Sequence, residues 1–166
     1  YNPGADAFFP VSSVLVSGEK DAILVNAQFG KGQAEQLVQK IRASGKQLTT
    51  IYISHGDPDY YFGLDTLTAA FPNAKVVAPQ PVVDHIKATV AQKIDYWGPQ
   101  MGADRPAKTI VPQVLEGHNL TLEGKQLEVI GLDGPQPDRS FVWIPSIKAV
   151  IGGVVVAENI HLWMDD

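Results

Sequence analysis

The chain contains no cysteine among its 166 residues. This absence excludes a disulfide framework, and it excludes a metal site built from thiolates. Basic residues form no run, because 13 Lys and Arg are interspersed with 18 Asp and Glu to give a formal net charge of −5. This charge pattern argues against a nucleic-acid-binding surface and against a polybasic patch that would hold the protein on a membrane.

Long hydrophobic runs are missing as well, since no apolar stretch reaches the roughly 18–20 residues that a membrane-spanning helix needs. Hydrophobic residues make up 45% of the chain and charged residues 19%, which is typical of a folded protein, and the length fits one domain over residues 1–166. The chain starts at Tyr1 and shows no basic-then-apolar leader. We therefore expect a mature or trimmed product in the periplasm or secreted, with the cytoplasm as the alternative.

The order of the apolar segments predicts an α/β fold with partly antiparallel sheets. Strand-like residues 8–16 and 22–26 flank a turn and predict a hairpin. Helical apolar stripes follow at residues 34–41 and 82–94. Short strand-like segments dominate after them, the last at residues 149–156. The Gly- and Pro-containing residues 96–108 predict a long loop of the kind that forms lids and walls.

The most informative stretch is the loop HGDPDY at residues 55–60, which directly follows a predicted strand. His55, Asp57 and Asp59 stand at alternate positions, and imidazole together with carboxylate suits zinc, manganese or iron. The alternative is a capped turn, in which Asp57 and Asp59 accept backbone N–H bonds from the helix near Gly63.

With these residues in place, the chain resembles the metallo-β-lactamase superfamily. The family has a strand, then His-x-His-x-Asp-His, then a Gly; here residues 51–54 precede HGDPDY and Gly63. The apolar strand that ends in Gly152-Gly153 is similar to the family strand that ends in Gly-Asp. The resemblance covers most of the chain and implies an αββα sandwich. It also implies one or two metal ions between the sheet edges, and a metal-bound hydroxide that hydrolyses the substrate.

Within the loop, two residues match the family and two depart from it. His55 and Asp59 stand where the family has its first His and its Asp, whereas Asp57 and Tyr60 replace two further His. By the resemblance, Asp59 is a catalytic residue that orients the attacking water or takes its proton. Tyr60 would donate a hydrogen bond to a substrate carbonyl. The alternatives are that Asp59 only stiffens the loop and that Tyr60 packs its ring on the following helix.

Further along the chain, Asp133 corresponds to the next family His, with Asp138 as a competing match. Gly153 stands where the family has its metal-bridging Asp, and His161 is a further candidate ligand. The family domain is longer than this chain, so the sandwich is expected to be incomplete at the C-terminus. The resemblance thus leaves an oxygen-rich metal set, namely His55, Asp57, Asp59 and Asp133.

Such a set predicts at most one divalent ion, with a preference for harder ions than zinc. One hypothesis is therefore a metallo-β-lactamase-like hydrolase that has a mononuclear or vacant site and acts on a small molecule. The other is a non-catalytic binding or structural member of the fold. His85, on a helix with an apolar stripe elsewhere, is expected to be exposed. Without the C-terminal part of the family domain, one sheet edge would be open, and this predicts a homo-oligomer in which a second copy covers the edge. The alternative explanations of the short chain are that it is a fragment or a naturally short variant.

Overall fold

Two β-sheets form the centre of the structure, which is a computed structural model that describes residues 1–156. The first sheet has five strands in the order β1-β2-β3-β4-β5. Strands β1 and β2 are antiparallel, whereas β2, β3, β4 and β5 run parallel to one another. The strands of this sheet are β1 (Val14–Ser17), β2 (Asp21–Val25), β3 (Gln47–Tyr52), β4 (Lys75–Ala78) and β5 (Gln113–Val114).

The second sheet is antiparallel throughout and has the order β6-β7-β8-β9. Its strands are β6 (Asn119–Leu122), β7 (Lys125–Ile130), β8 (Phe141–Ile144) and β9 (Ala149–Ile151). Helices occur between the strands of the first sheet, because parallel strands need crossover connections. They are α1 (Lys31–Ala43), α2 (Pro58–Tyr61), α3 (Leu64–Ala70) and α4 (Gln80–Met101).

Side chains along the central strands point alternately to the two faces of the first sheet, and this divides the buried residues into two cores. In β3, Ile51 packs with the helices, whereas the next residue, Tyr52, faces the second sheet. Neighbouring strand residues point to opposite faces, so one buried strand serves both cores. The first sheet therefore lies between a layer of helices and the second sheet, and the predicted α/β class is confirmed.

Three predicted segments differ from the structure. The hairpin begins only at Val14 rather than at residue 8, and the last strand ends at Ile151 rather than at residue 156. The loop predicted over residues 96–108 is wrong in its first part, because α4 continues to Met101 despite Pro99. Trp97 and Met101 extend the apolar face of α4 onto the helical core, and this packing outweighs the breaking tendency of Gly and Pro.

Among residues 1–156, no helix is both long enough and apolar enough to cross a membrane.

Candidate functional site

The loop at residues 55–60 starts from a strand end that is held on both sides. On one side, the buried Asn26 after β2 accepts hydrogen bonds through Oδ1 from the Ser54 backbone N–H (3.1 Å) and from the Ser54 hydroxyl (2.9 Å). Asn26 has a positive φ of 67°, a conformation that Asn adopts more readily than most residues. These bonds fix the direction in which the chain leaves β3.

On the other side, the segment before β8 closes over the same strand end. The Ser140 hydroxyl donates to the Ser54 carbonyl (2.9 Å), lies 2.7 Å from the Tyr52 hydroxyl, and is buried. His55 and Arg139 form an isolated antiparallel β-bridge. The segment that leads into the second sheet thereby brings residues 138–140 to the loop at residues 55–60.

The far end of the loop is fastened to the chain that follows β2. The Ala27 N–H donates to the Tyr60 carbonyl (2.8 Å), and the Gly63 N–H donates to the Gln28 carbonyl (2.9 Å). A Cβ atom on Gly63 would overlap the Ala27 carbonyl oxygen. Glycine is therefore required here by a close backbone approach, which explains the Gly that follows the loop.

His55 lies at the base of the loop with only 2% of its side chain exposed. Its Nδ1 accepts the Asp57 N–H (3.1 Å), so the neutral ring carries its proton on Nε2. That Nε2 is buried and has no hydrogen-bond partner among residues 1–156. Burial lowers the pKa of His55 from 6.5 to about 4, which keeps the ring neutral at physiological pH.

A chain of polar contacts extends from His55 to helix α4. The Asp57 carboxylate lies 3.3 Å from His55 Nδ1 and accepts a hydrogen bond from the Lys93 ammonium (3.0 Å). Lys93 Nζ is also 3.0 Å from the Gly56 carbonyl and 3.0 Å from His85 Nε2. His85 Nδ1 in turn lies 3.0 Å from an Asp138 carboxylate oxygen.

The two carboxylates of the loop have opposite pKa shifts. Burial alone would raise the pKa of Asp57, but the neighbouring His55 and Lys93 outweigh it, so this pKa is lowered below 3.8. For Asp59, burial and then the charge of Asp57 raise the pKa to about 7. At neutral pH, Asp57 is therefore charged and Asp59 is partly protonated.

Tyr60, at the end of the loop, and Tyr61, directly after it, lie in the interior. Tyr60 packs its ring against His55 with the centroids 4.9 Å apart, and Tyr61 is fully buried, with no partner for its hydroxyl among residues 1–156. Burial raises the pKa of both phenols well above the ordinary value. Both hydroxyls therefore remain protonated, and the catalytic roles assigned to Asp59 and Tyr60 stay predictions.

Not all of the predicted metal ligands lie at this site. Asp133 is exposed, whereas its competitor Asp138 contacts His85 and is the carboxylate that lies at this site. The alternative of a capped turn is not observed among residues 1–156, since neither α2, which follows Asp57, nor α3, which follows Gly63, has a side-chain cap bond. Within residues 1–156, no group of three or more His, Asp or Glu side chains is arranged to hold a metal ion. The four-residue metal set stays a prediction.

By the resemblance, Gly153 stands where the family has its metal-bridging Asp. Gly153 has a φ of +53°, and a Cβ atom on it would lie 2.9 Å from the Ser54 hydroxyl oxygen. The segment after β9 therefore passes beside Ser54, the residue that directly precedes the loop. His161 lies outside the described residues.

As a donor set, the described residues do not fit a pair of metal ions. In favour of a metal, His55 Nε2 is a buried polar atom without a partner in this part of the chain. Against it, Asp57 and His85 are already bonded to the Lys93 ammonium. The His55 tautomer that accepts the Asp57 N–H also has no free lone pair on Nε2.

His85 and Lys93 are the functional candidates that sequence reasoning missed, and the expectation that His85 is exposed was wrong. The His85 side chain is 33% exposed and the Lys93 side chain 17%. Both are on α4, eight residues apart, which is about 12 Å along a helix. Side chains of a helix point toward its N-terminus, and Lys93 is long enough to reach back toward His85. The sequence carries no local signal for this pair, because side chains eight residues apart on a helix are not ordinary neighbours.

The sequence of the chain matches a known protein family. The sequence model of the metallo-beta-lactamase superfamily matches residues 6–166. The uncharacterized protein YobT of Bacillus subtilis (strain 168) is 37% identical over 71 residues, which make up 43% of this chain and 30% of that protein.

Two solved structures show the same fold. A metallo-β-lactamase family protein from Thermus thermophilus superposes with a TM-score of 0.69 at 17% identity, over 98% of this chain and 61% of that one. A metallo-β-lactamase from Cronobacter sakazakii, described by its HARLDQ motif, gives a TM-score of 0.57 at 22% identity, over 80% of this chain and 52% of that one. The chain therefore spans less than two thirds of the length of each of these three relatives.

These matches confirm the predicted resemblance and the αββα fold class. The family match extends over nearly the whole sequence, and the HGDPDY loop lies at the end of its strand, as the resemblance implies. The chain belongs to the metallo-β-lactamase superfamily.

Proposed function

We propose that this chain is a hydrolase-like metallo-β-lactamase-fold protein whose metal site is vacant, and that it does not hydrolyse substrates through a metal-bound hydroxide. The observation that supports this proposal is the Lys93 ammonium, 3.0 Å from both an Asp57 oxygen and His85 Nε2. A divalent ion placed about 4 Å from that ammonium would be repelled by about 8 kcal/mol at an effective dielectric constant of 20. A metal could then bind only if the ammonium moved away or lost its proton.

Two further features support a vacant site. Gly153 supplies no bridging carboxylate, and Asp59 is partly neutral at pH 7 because its pKa is raised to about 7. A neutral carboxyl group is a poor metal ligand.

The second candidate function is a mononuclear metal hydrolase, and one observation favours it. His55 Nε2 is buried without a partner among the described residues, as expected of a metal ligand. This candidate requires the other tautomer of His55, in which Nδ1 carries the proton. Asp57 Oδ2, 3.3 Å away, could accept that proton in a hydrogen bond.

Metal content separates the two candidates. The protein is purified without chelator and without metal-affinity resin, and zinc, manganese and iron are measured together with hydrolysis of β-lactam, ester and thioester substrates. We expect less than a tenth of an equivalent of metal and no hydrolysis that depends on added metal. About one equivalent that is lost in His55→Ala, but kept in the exposed control His118→Ala, would overturn the proposal in favour of the mononuclear enzyme.

The remaining expectations stay predictions: a small-molecule ligand, no nucleic-acid or membrane partner, a homo-oligomer, and a periplasmic or secreted location.

A further inference from the structure

The Lys93 side chain is placed as a cation inside a nearly complete cation site. A lysine ammonium has three N–H donors and no acceptor. Three acceptors surround Nζ at 3.0 Å each: the Gly56 carbonyl, Asp57 Oδ1 and His85 Nε2. All three donors are therefore used, and the side chain is only 17% exposed.

The contacts of His85 fix which nitrogen carries its proton. The Asp138 carboxylate can only accept, so His85 Nδ1 donates to it across 3.0 Å. The Lys93 ammonium can only donate, so His85 Nε2 accepts from it with its lone pair. The ring is thus the neutral Nδ1–H tautomer, with the lone pair of Nε2 directed at the cation.

This order of carboxylate, imidazole and cation is the arrangement that proteins use around metal ions. A His that binds a metal usually donates its other N–H to a carboxylate, which fixes the tautomer and raises the basicity of the ring. Asp138, His85 and Lys93 reproduce it with an ammonium in place of the metal. The backbone carbonyl of Gly56 and the carboxylate of Asp57 complete the oxygen ligands that such a cation would take.

We propose that Lys93 is the resident cation of this loop, that its ammonium replaces a divalent ion on Gly56, Asp57 and His85, and that it keeps divalent metals off a latent binding site. This inference rests on the proposed vacant site and names the residue responsible for it. Removing the ammonium while keeping an unbranched side chain of nearly the same length should expose a donor set that a divalent ion can use. Asp138 would then orient His85 toward that ion.

The test compares Lys93→Met with Lys87→Met, a substitution of an exposed lysine on the same helix. Each full-length chain is dialysed against chelator and titrated with zinc chloride in a calorimeter. We expect Lys93→Met to take up about one equivalent of zinc at least 10-fold more tightly than the wild type. The gain should disappear when His85→Ala is added, and Lys87→Met should behave as the wild type does.

The outcomes separate this inference from the proposed function. If the wild type already binds one equivalent of zinc tightly, both fail. If neither the wild type nor a folded Lys93→Met binds zinc, the vacant site stands and the role of Lys93 is refuted.

A second measurement on the wild type covers the case in which Lys93→Met does not fold. Lysines are acetylated with a limiting amount of acetic anhydride and the modified sites are quantified by mass spectrometry. We expect Lys93 to react at least 10-fold more slowly than Lys87, because all its donors are bonded. Equal rates would overturn the proposal.

Discussion

Replacing Asp59 by Asn tests whether burial controls the charge of the loop. Burial, with the charge of Asp57 as the second cause, raises the pKa of Asp59 from 3.8 to about 7. This rise corresponds to a preference of about 4 kcal/mol for the neutral form in the folded protein. The resulting stabilisation is fully present below about pH 4 and is lost as the pH rises through about 7.

His55 contributes with the opposite sign. Burial lowers its pKa from 6.5 to about 4, so its stabilisation is present above pH 6.5 and is lost as the pH falls toward 4. The magnitude is about 3 kcal/mol by the same conversion. Because the two windows overlap, we expect the free energy of unfolding of the wild type to change little between about pH 4 and 6.5 on account of these two groups.

The Asp59→Asn variant removes one of the two opposing titrations. We expect the stability of the variant relative to the wild type to increase with pH, by up to about 4 kcal/mol between pH 4 and pH 8. Urea denaturation followed by circular dichroism at closely spaced pH values measures this difference. In the control Asp95→Asn, which changes an exposed carboxyl on α4, the difference should vary by less than about 0.5 kcal/mol. A difference for Asp59→Asn that is constant with pH would refute the reasoning.

Two further predictions concern the surroundings of the site and the connection between the sheets. Gly63→Ala should lower the free energy of unfolding by roughly 1–3 kcal/mol, because the new Cβ would overlap the Ala27 carbonyl oxygen. Gly98→Ala, inside α4, should raise the free energy of unfolding by about 0.5–1 kcal/mol, because the nearest atom to its new Cβ is 3.6 Å away. Equal effects in thermal unfolding would contradict the steric argument. Glu123→Gln should speed hydrogen exchange at the amides of residues 19–21, which donate to the Glu123 carboxylate and lower its pKa to about 2. Unchanged exchange rates, measured by NMR, would contradict that role.

The sequence by itself determined the elements whose patterns are local. A short, buried-looking segment predicted β3, and the helical stripe predicted α1, because these preferences depend on neighbouring residues alone. The loop after β3 was found for the same reason, since a strand end followed by HGDPDY is a contiguous signal. The αββα class followed from the resemblance, and it is confirmed.

Tertiary structure decided how far α4 extends and which carboxylate belongs to the site. Gly98 and Pro99 predict a loop when considered locally, yet packing of Trp97 on the helical core keeps residues 96–101 helical. By sequence Asp133 is the match and Asp138 its competitor, whereas in the structure Asp133 is exposed and Asp138 contacts His85. That contact brings the segment before β8 next to helix α4 in space, and no local pattern in the sequence contains it.

The Lys93 contacts are the clearest case of information that the sequence alone did not give. Lys93 is 36 residues from Asp57 along the chain, and the two meet because α4 packs beside the carboxyl end of β3. A lysine eight residues after a histidine on an amphipathic helix is typical of a solvated face, and only its surroundings in the fold make it a partly buried cation. The sequence thus located the HGDPDY loop that follows β3. The packing of helix on sheet decided that Lys93 supplies the charge there, because Coulomb energy depends on distance in space rather than on separation along the chain.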